Sequence, residues 1–244
     1  MATESSRPAY YALRSGGWRD YVTLLHLPYT AWHLSYVALG AALSPHFALS
    51  RLWPVLAAFF LAVGIGAHAL DELNGRPLRT EIPRSVLAGL AVVSIGGAVA
   101  IGVAGALMVN PWIGAFVAAG AFIVVAYNLE WFGGRFHNDS WFALAWGAFP
   151  LLTGFFASAE ELNAVALAGA LFAGALSLAQ RILSTQVRDV RRRVLRVTGT
   201  IERADGTVED ITPETMMRPE ETALRVLAVA VVALAAASVM MRLW

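Results

Sequence analysis

Residues 64–80 read GIGAHALDELNGRPLRT, an apolar approach that ends abruptly on His68, Asp71, Glu72, Asn74, Arg76 and Arg79. A bilayer core takes about 20 apolar residues as one helix. The segment that closes on these polar residues, 52–72, meets that requirement. Working outward with the same ruler gives further spans at 21–44, 84–109, 111–129, 139–158, 162–184 and 222–242. Asn110-Pro111 places a proline at the start of the fourth and makes a tight hairpin with the third. The sixth, AVALAGALFAGALSLA, is rich in the small residues that let helices approach closely, and the seventh has the character of a packing or anchoring helix. The expected fold is an all-α membrane protein of about seven transmembrane helices.

Composition supports that class. The chain is 58% hydrophobic and 14% charged, whereas soluble domains carry about 25% charged residues. Mean hydropathy is +0.61. Soluble enzymes, nucleic-acid binders and secreted proteins are thereby excluded, and no span carries the ladder of charges a voltage sensor needs. With no cysteine there are no disulfides, thiolate metal sites or thiol nucleophiles. All 18 basic residues are arginine.

Their placement sets an orientation. With the N-terminus inside, only Arg51 and Arg242 fall on the outer side. Every sizeable polar loop, 73–83, 130–138 and 185–221, then faces the cytoplasm, and the C-terminus lies outside. Residues 1–20 have no apolar core and read as a cytoplasmic lead-in rather than a cleavable signal. Residues 21–184 form a six-helix core, 185–221 a cytoplasmic loop, and 222–244 a C-terminal transmembrane helix. Within the loop, RVTGTIE and TVEDIT flank the turn signal Ala204-Asp205-Gly206 and predict a β-hairpin. It is expected to rest on the membrane domain or over a cavity mouth. Thr212-Pro213-Glu214 then signals a helix start.

Ionisable groups at span ends are costly enough to mark function. The end of span two carries His68, Asp71 and Glu72. The end of span six carries Gln180, Arg181, Gln186, Arg188 and Asp189, and the connection between spans four and five carries Tyr127, Asn128, Arg135, His137, Asn138 and Asp139. Carboxylates on two facing helix ends can share magnesium, which prefers oxygen ligands plus substrate phosphates. Arginines supply forked hydrogen bonds to phosphate. A polar mouth above an apolar interior suits an isoprenoid diphosphate, head at the surface and tail among the helices.

The chain resembles the UbiA superfamily of intramembrane prenyltransferases. The first span, LLHLPYTAWHLSYVALGAAL, is similar to the family's proline-containing opening, and AHALDELNGRPLRTEIP to its first aspartate motif. AYNLEWFGGRFHNDSWFALAWGAFPLLTGFFA resembles the fourth-to-fifth connection and fifth helix, and STQVRDVRRRV the second aspartate motif. The resemblance covers roughly residues 18–195 and rests on order and spacing. Each motif keeps one aspartate, Asp71 and Asp189. Ala67, His68, Gly75, Gln186 and Arg193 stand where the family has other polar or acidic residues, and seven spans replace its usual nine.

The resemblance implies a UbiA-like bundle around a central cavity and an enzyme acting on an isoprenoid diphosphate, by transfer to a lipophilic acceptor or by cyclisation. Asp71 and Asp189 would be catalytic, and Asp71, Glu72 and Asp189 would hold magnesium. Arg76, Arg79, Arg188, Arg192 and Asn74 would bind substrate, with Tyr127 and Asn128 at the mouth. The lost carboxylates admit an alternative, a non-catalytic UbiA-like protein that binds a lipid or quinone, or serves as a subunit or assembly factor of a larger membrane complex. A third arrangement places a metal on His26, His33 and His68 with the neighbouring carboxylates. The plainer account of these histidines is hydrogen bonding between helices.

Overall fold

The structure, a computed structural model, describes residues 8–244, so the first seven residues of the lead-in, Arg7 among them, lie outside the described residues. The chain is mostly helical, and five helices are long and apolar enough to cross a membrane: Leu49–Leu73 (α3), Arg84–Met108 (α4), Asp139–Ala159 (α6), Ala164–Arg193 (α7) and Pro213–Met240 (α8). Ile113–Asn128 (α5) is apolar but has only 16 residues.

The first expected span is divided. Trp18–Leu24 (α1) stops before Leu27–Leu43 (α2), and His26 between them takes a left-handed conformation with φ 45°. Pro28 is the reason: it has no N–H to donate and its ring would strike the carbonyl four residues back, so it opens a helix rather than continuing one. α1 exposes Trp18 and Tyr21, side chains suited to a membrane interface. α2 is buried at the centre and packs mainly on α6 and α8. There Gly40 and Gly154 let two backbones meet. A Cβ at Gly40 would lie 2.0 Å from the Leu151 carbonyl oxygen, and one at Gly154 would lie 2.2 Å from that of Val37. Trp32 donates to the Tyr36 hydroxyl at 2.5 Å, which keeps this contact free of unpaired polar groups.

Two helices carry π-helical stretches, Phe60–Ala67 in α3 and Leu144–Ala148 in α6. A π turn adds a residue to the helix and re-aims the side chains beyond it. Gly147 seats the second stretch against the α7 backbone, since a Cβ there would stand 2.5 Å from the Ala173 carbonyl oxygen.

The expected loop 185–221 is shorter than its sequence suggests. α7 runs on to Arg193 and α8 begins at Pro213, capped by reciprocal hydrogen bonds between Thr212 and Thr215. The two extensions bury Val187, Val190, Met217 and Leu224 against each other, and Arg191 donates to Glu221 at 2.9 Å. Apolar contact and an ion pair therefore hold as helix what polarity alone marks as loop. Beyond them Thr200–Glu202 (β1) and Val208–Asp210 (β2) pair antiparallel, with Ile201 opposite Glu209. Gly206, at φ 82°, supplies the turn. All six strand residues are exposed, and none of them lines the cavity described below.

Candidate functional site

At the arginine-rich end of the molecule lies a cavity of about 710 Å³, within the range of ligand pockets. α3 brings Asp71 to its wall, and the turn that follows brings Asn74, Arg76 and Arg79. α5 contributes Tyr127 and Asn128, and α7 contributes Arg188, Asp189 and Arg192. His26, His33 and His68 also line it. Residues far apart in sequence thus converge on one space, and Asp71 and Asp189 enter it from different helices. Arginines outnumber carboxylates on its wall, which favours an anion.

Glu72 is the exception. It is fully buried and turned away, accepting from the Leu78 N–H at 3.0 Å, the Thr80 N–H at 2.8 Å and the Thr80 hydroxyl at 2.9 Å. Its two oxygens hold the turn between α3 and α4, so the expectation of a metal ligand there is corrected: neighbouring helical residues point about 100° apart, and this one faces the turn. Arg76 is also committed in part, donating to the carbonyls of Thr80 at 2.6 Å and Ile82 at 2.9 Å. Asp189 pairs loosely with Arg193 at 3.5 Å. Among the described residues no three His, Cys, Asp or Glu side chains come together to hold a metal ion. The expected magnesium set therefore reduces to Asp71 and Asp189, and the Asp71 carboxylate makes no hydrogen bond or ion pair among the described residues.

The histidines are occupied by local partners, between helices for His33 and within its own helix for His68. His33 Nδ1 lies 2.7 Å from the Trp146 carbonyl oxygen and His68 Nδ1 lies 3.1 Å from that of Gly64, so each carries its proton on Nδ1. His26 stacks on His68 with ring centroids 3.9 Å apart and contacts the Tyr11 hydroxyl at 3.0 Å. The three rings are fixed by backbone, stacking and tyrosine, and do not converge on a point.

Several wall residues were absent from the substrate and metal sets expected from sequence. Arg181 donates to Asp139 at 3.1 Å and to the Tyr127 hydroxyl at 2.7 Å, and lies over the Phe142 ring, a guanidinium held rigidly at the junction of α5, α6 and α7. Its signal was legible: positions 181, 188 and 192 recur at helical spacing and share a face of α7. His137 stacks on Tyr127 at 4.4 Å. Gln180 is 3% exposed and its side-chain oxygen has no hydrogen-bond partner among the described residues. Tyr10 and Tyr11 fold over the mouth against Tyr29, and burial keeps the Tyr11 phenol protonated by pushing its pKa well up. Asp20 anchors this N-terminal cover by accepting from Gly16 at 3.0 Å and Glu81 at 2.8 Å. Nothing in a Tyr-Tyr pair within a polar leader announces that role.

No protein-family model matches the chain, and no curated protein or solved structure matches it.

Proposed function

We propose that the chain is an intramembrane enzyme of the UbiA type that acts on an isoprenoid diphosphate, by transfer or cyclisation. The N-terminus, the cavity mouth and the hairpin face the cytoplasm in this proposal, seven helical segments lie in the bilayer, and the C-terminus is outside. The observation that carries it is the single cavity in which Asp71 and the 74–79 turn meet Arg181, Arg188, Asp189 and Arg192 from a helix end four segments later. Arginine forks match phosphate oxygens, and in a partly dry site each such bond is stronger than in water. The diphosphate head is bound here by arginine rather than by a magnesium cluster. As the allylic C–O bond breaks and its electron pair leaves with the diphosphate, these guanidiniums offset the growing charge.

The test is calorimetric titration of the purified chain with geranylgeranyl diphosphate, with and without chelator, followed by assay for released pyrophosphate. Binding that survives chelation, and falls about tenfold or more in an Arg188→Ala, Arg192→Ala double variant, supports the arginine site. Absence of binding by the unaltered chain overturns the proposal. The missing metal cluster favours a second reading, a non-catalytic lipid- or quinone-binding protein or subunit of a membrane complex. Binding without pyrophosphate release selects it.

A further inference from the structure

Residues 8–17 contain no helix or strand, yet Pro8, Ala9, Tyr10 and Tyr11 line the basic cavity. Among the described residues, no backbone hydrogen bond ties this strap to the rest of the chain before residue 13: Ala12 donates to Ala9, within the strap itself, at 3.1 Å. Side chains hold it down instead. The Tyr10 ring lies under the Arg225 guanidinium of α8, 4.8 Å from centroid to carbon. Tyr11 stands edge-on to Tyr29 of α2 with centroids 5.5 Å apart, and its hydroxyl lies 3.0 Å from His26 Nδ1. Each such contact is weak by itself. The Tyr10 hydroxyl is buried with no hydrogen-bond partner among the described residues, so the lowered strap gives up a bond to water that nothing replaces.

Leu13 makes the first backbone attachment, donating to the Thr23 hydroxyl at 3.0 Å. The strap then ends on two glycines, Gly16 at φ 112° and Gly17 at φ 63° and ψ −140°. Other residues reach the Gly17 conformation only under strain, whereas glycine moves readily between positive and negative φ. The base of this pair is held. The buried Asp20 carboxylate accepts from the Gly16 N–H at 3.0 Å and, through its other oxygen, from the Glu81 N–H at 2.8 Å. Glu81 closely follows Arg76 and Arg79, which stand in the cavity wall. A torsionally free pair is therefore mounted on the site, with a loosely held strap on one side and α1 on the other.

We infer that residues 8–15 are a hinged lid, which swings on Gly16-Gly17 to open the basic cavity and, when lowered, excludes water from it. The inference rests on the reading of this cavity as the ligand site. Opening breaks the Tyr11–His26 and Leu13–Thr23 contacts and lifts Tyr10 off Arg225, and it leaves every arginine of the wall in place. Closure sequesters the bound group from water, and entry and release then wait on the lid.

The chain has no cysteine, so a single thiol reports access to a chosen place. Ser184→Cys puts one in the cavity wall on α7, at 9% exposure, and Leu195→Cys puts one at a fully exposed position. The experiment measures the rate of modification by a sulfonate-bearing methanethiosulfonate, on the full chain in detergent. Each thiol is placed in the otherwise unaltered chain, in a Tyr10→Ala, Tyr11→Ala variant, and in Gly17→Ala. A Cβ at Gly17 meets no atom within 4 Å, so that substitution acts through the backbone alone. Both lid variants are expected to speed modification at 184 about tenfold and to leave the rate at 195 unchanged. Melting curves report which variants are folded. Equal rates at 184 in every folded background overturn the inference. Inorganic pyrophosphate in excess separates the lid from the site it covers, because a bound anion should slow modification at 184. Faster modification in the lid variants with no protection by pyrophosphate upholds the lid and counts against the diphosphate reading.

Discussion

Asp71 and Glu72 are adjacent carboxylates with opposite assignments. Asp71 stands in the cavity wall, and Glu72 turns inward to hold three donors of the 73–83 turn. Composition placed both at a helix end, yet which one faced the cavity depended on where the following turn folds back. Glu72→Ala is expected to leave two buried N–H groups and a hydroxyl unpaired, at about 1–3 kcal/mol each before relaxation. A melting temperature lowered by several degrees in detergent is the predicted result, with Glu72→Gln intermediate because it retains one acceptor oxygen. Asp71→Ala removes no bond of the fold and is expected to melt close to the unaltered protein. Equal destabilisation by both substitutions would contradict this division of labour.

At the level of elements, apolar runs of this length predicted helices well because a single segment can satisfy its own backbone groups in lipid only as a helix. They said little about where helices break or change pitch. The π stretches in α3 and α6 lie inside uniformly apolar sequence, where no change of period can be seen, and the extensions of α7 and α8 depend on the buried Arg191–Glu221 pair. Pro28 was visible, but its effect in splitting the first span follows from geometry rather than hydropathy. The crossing of α2 and α6 offers the clearest test at this scale. Gly154→Ala places a methyl against the Val37 backbone, which no side-chain rotation can relieve. The helices must separate, at about 1–3 kcal/mol or more. Thermal unfolding of the variant should show a clear loss of stability. A variant that melts with the unaltered protein would mean that the two helices do not cross so closely.

For the molecule as a whole, charge asymmetry was the most legible property, and it aligns with what the fold gathers. The cavity wall, the N-terminal cover and the hairpin all lie at the end where the arginines cluster. The two remaining arginines are held locally: Arg51 pairs with Glu160, and Arg242 donates to the Ser44 carbonyl at 3.1 Å. What sequence could not supply was depth, since the convergence of α3, α5 and α7 on one space needs three dimensions. The proposed orientation in the bilayer rests on the positive-inside rule, and the absence of cysteine makes it directly measurable. Glu202→Cys sits on the exposed hairpin and Leu162→Cys on the exposed connection between α6 and α7. In intact cells a membrane-impermeant maleimide should label Leu162→Cys and leave Glu202→Cys unmodified until the membrane is opened. The reverse pattern would place the basic cavity on the outer face and contradict the proposed cytoplasmic site.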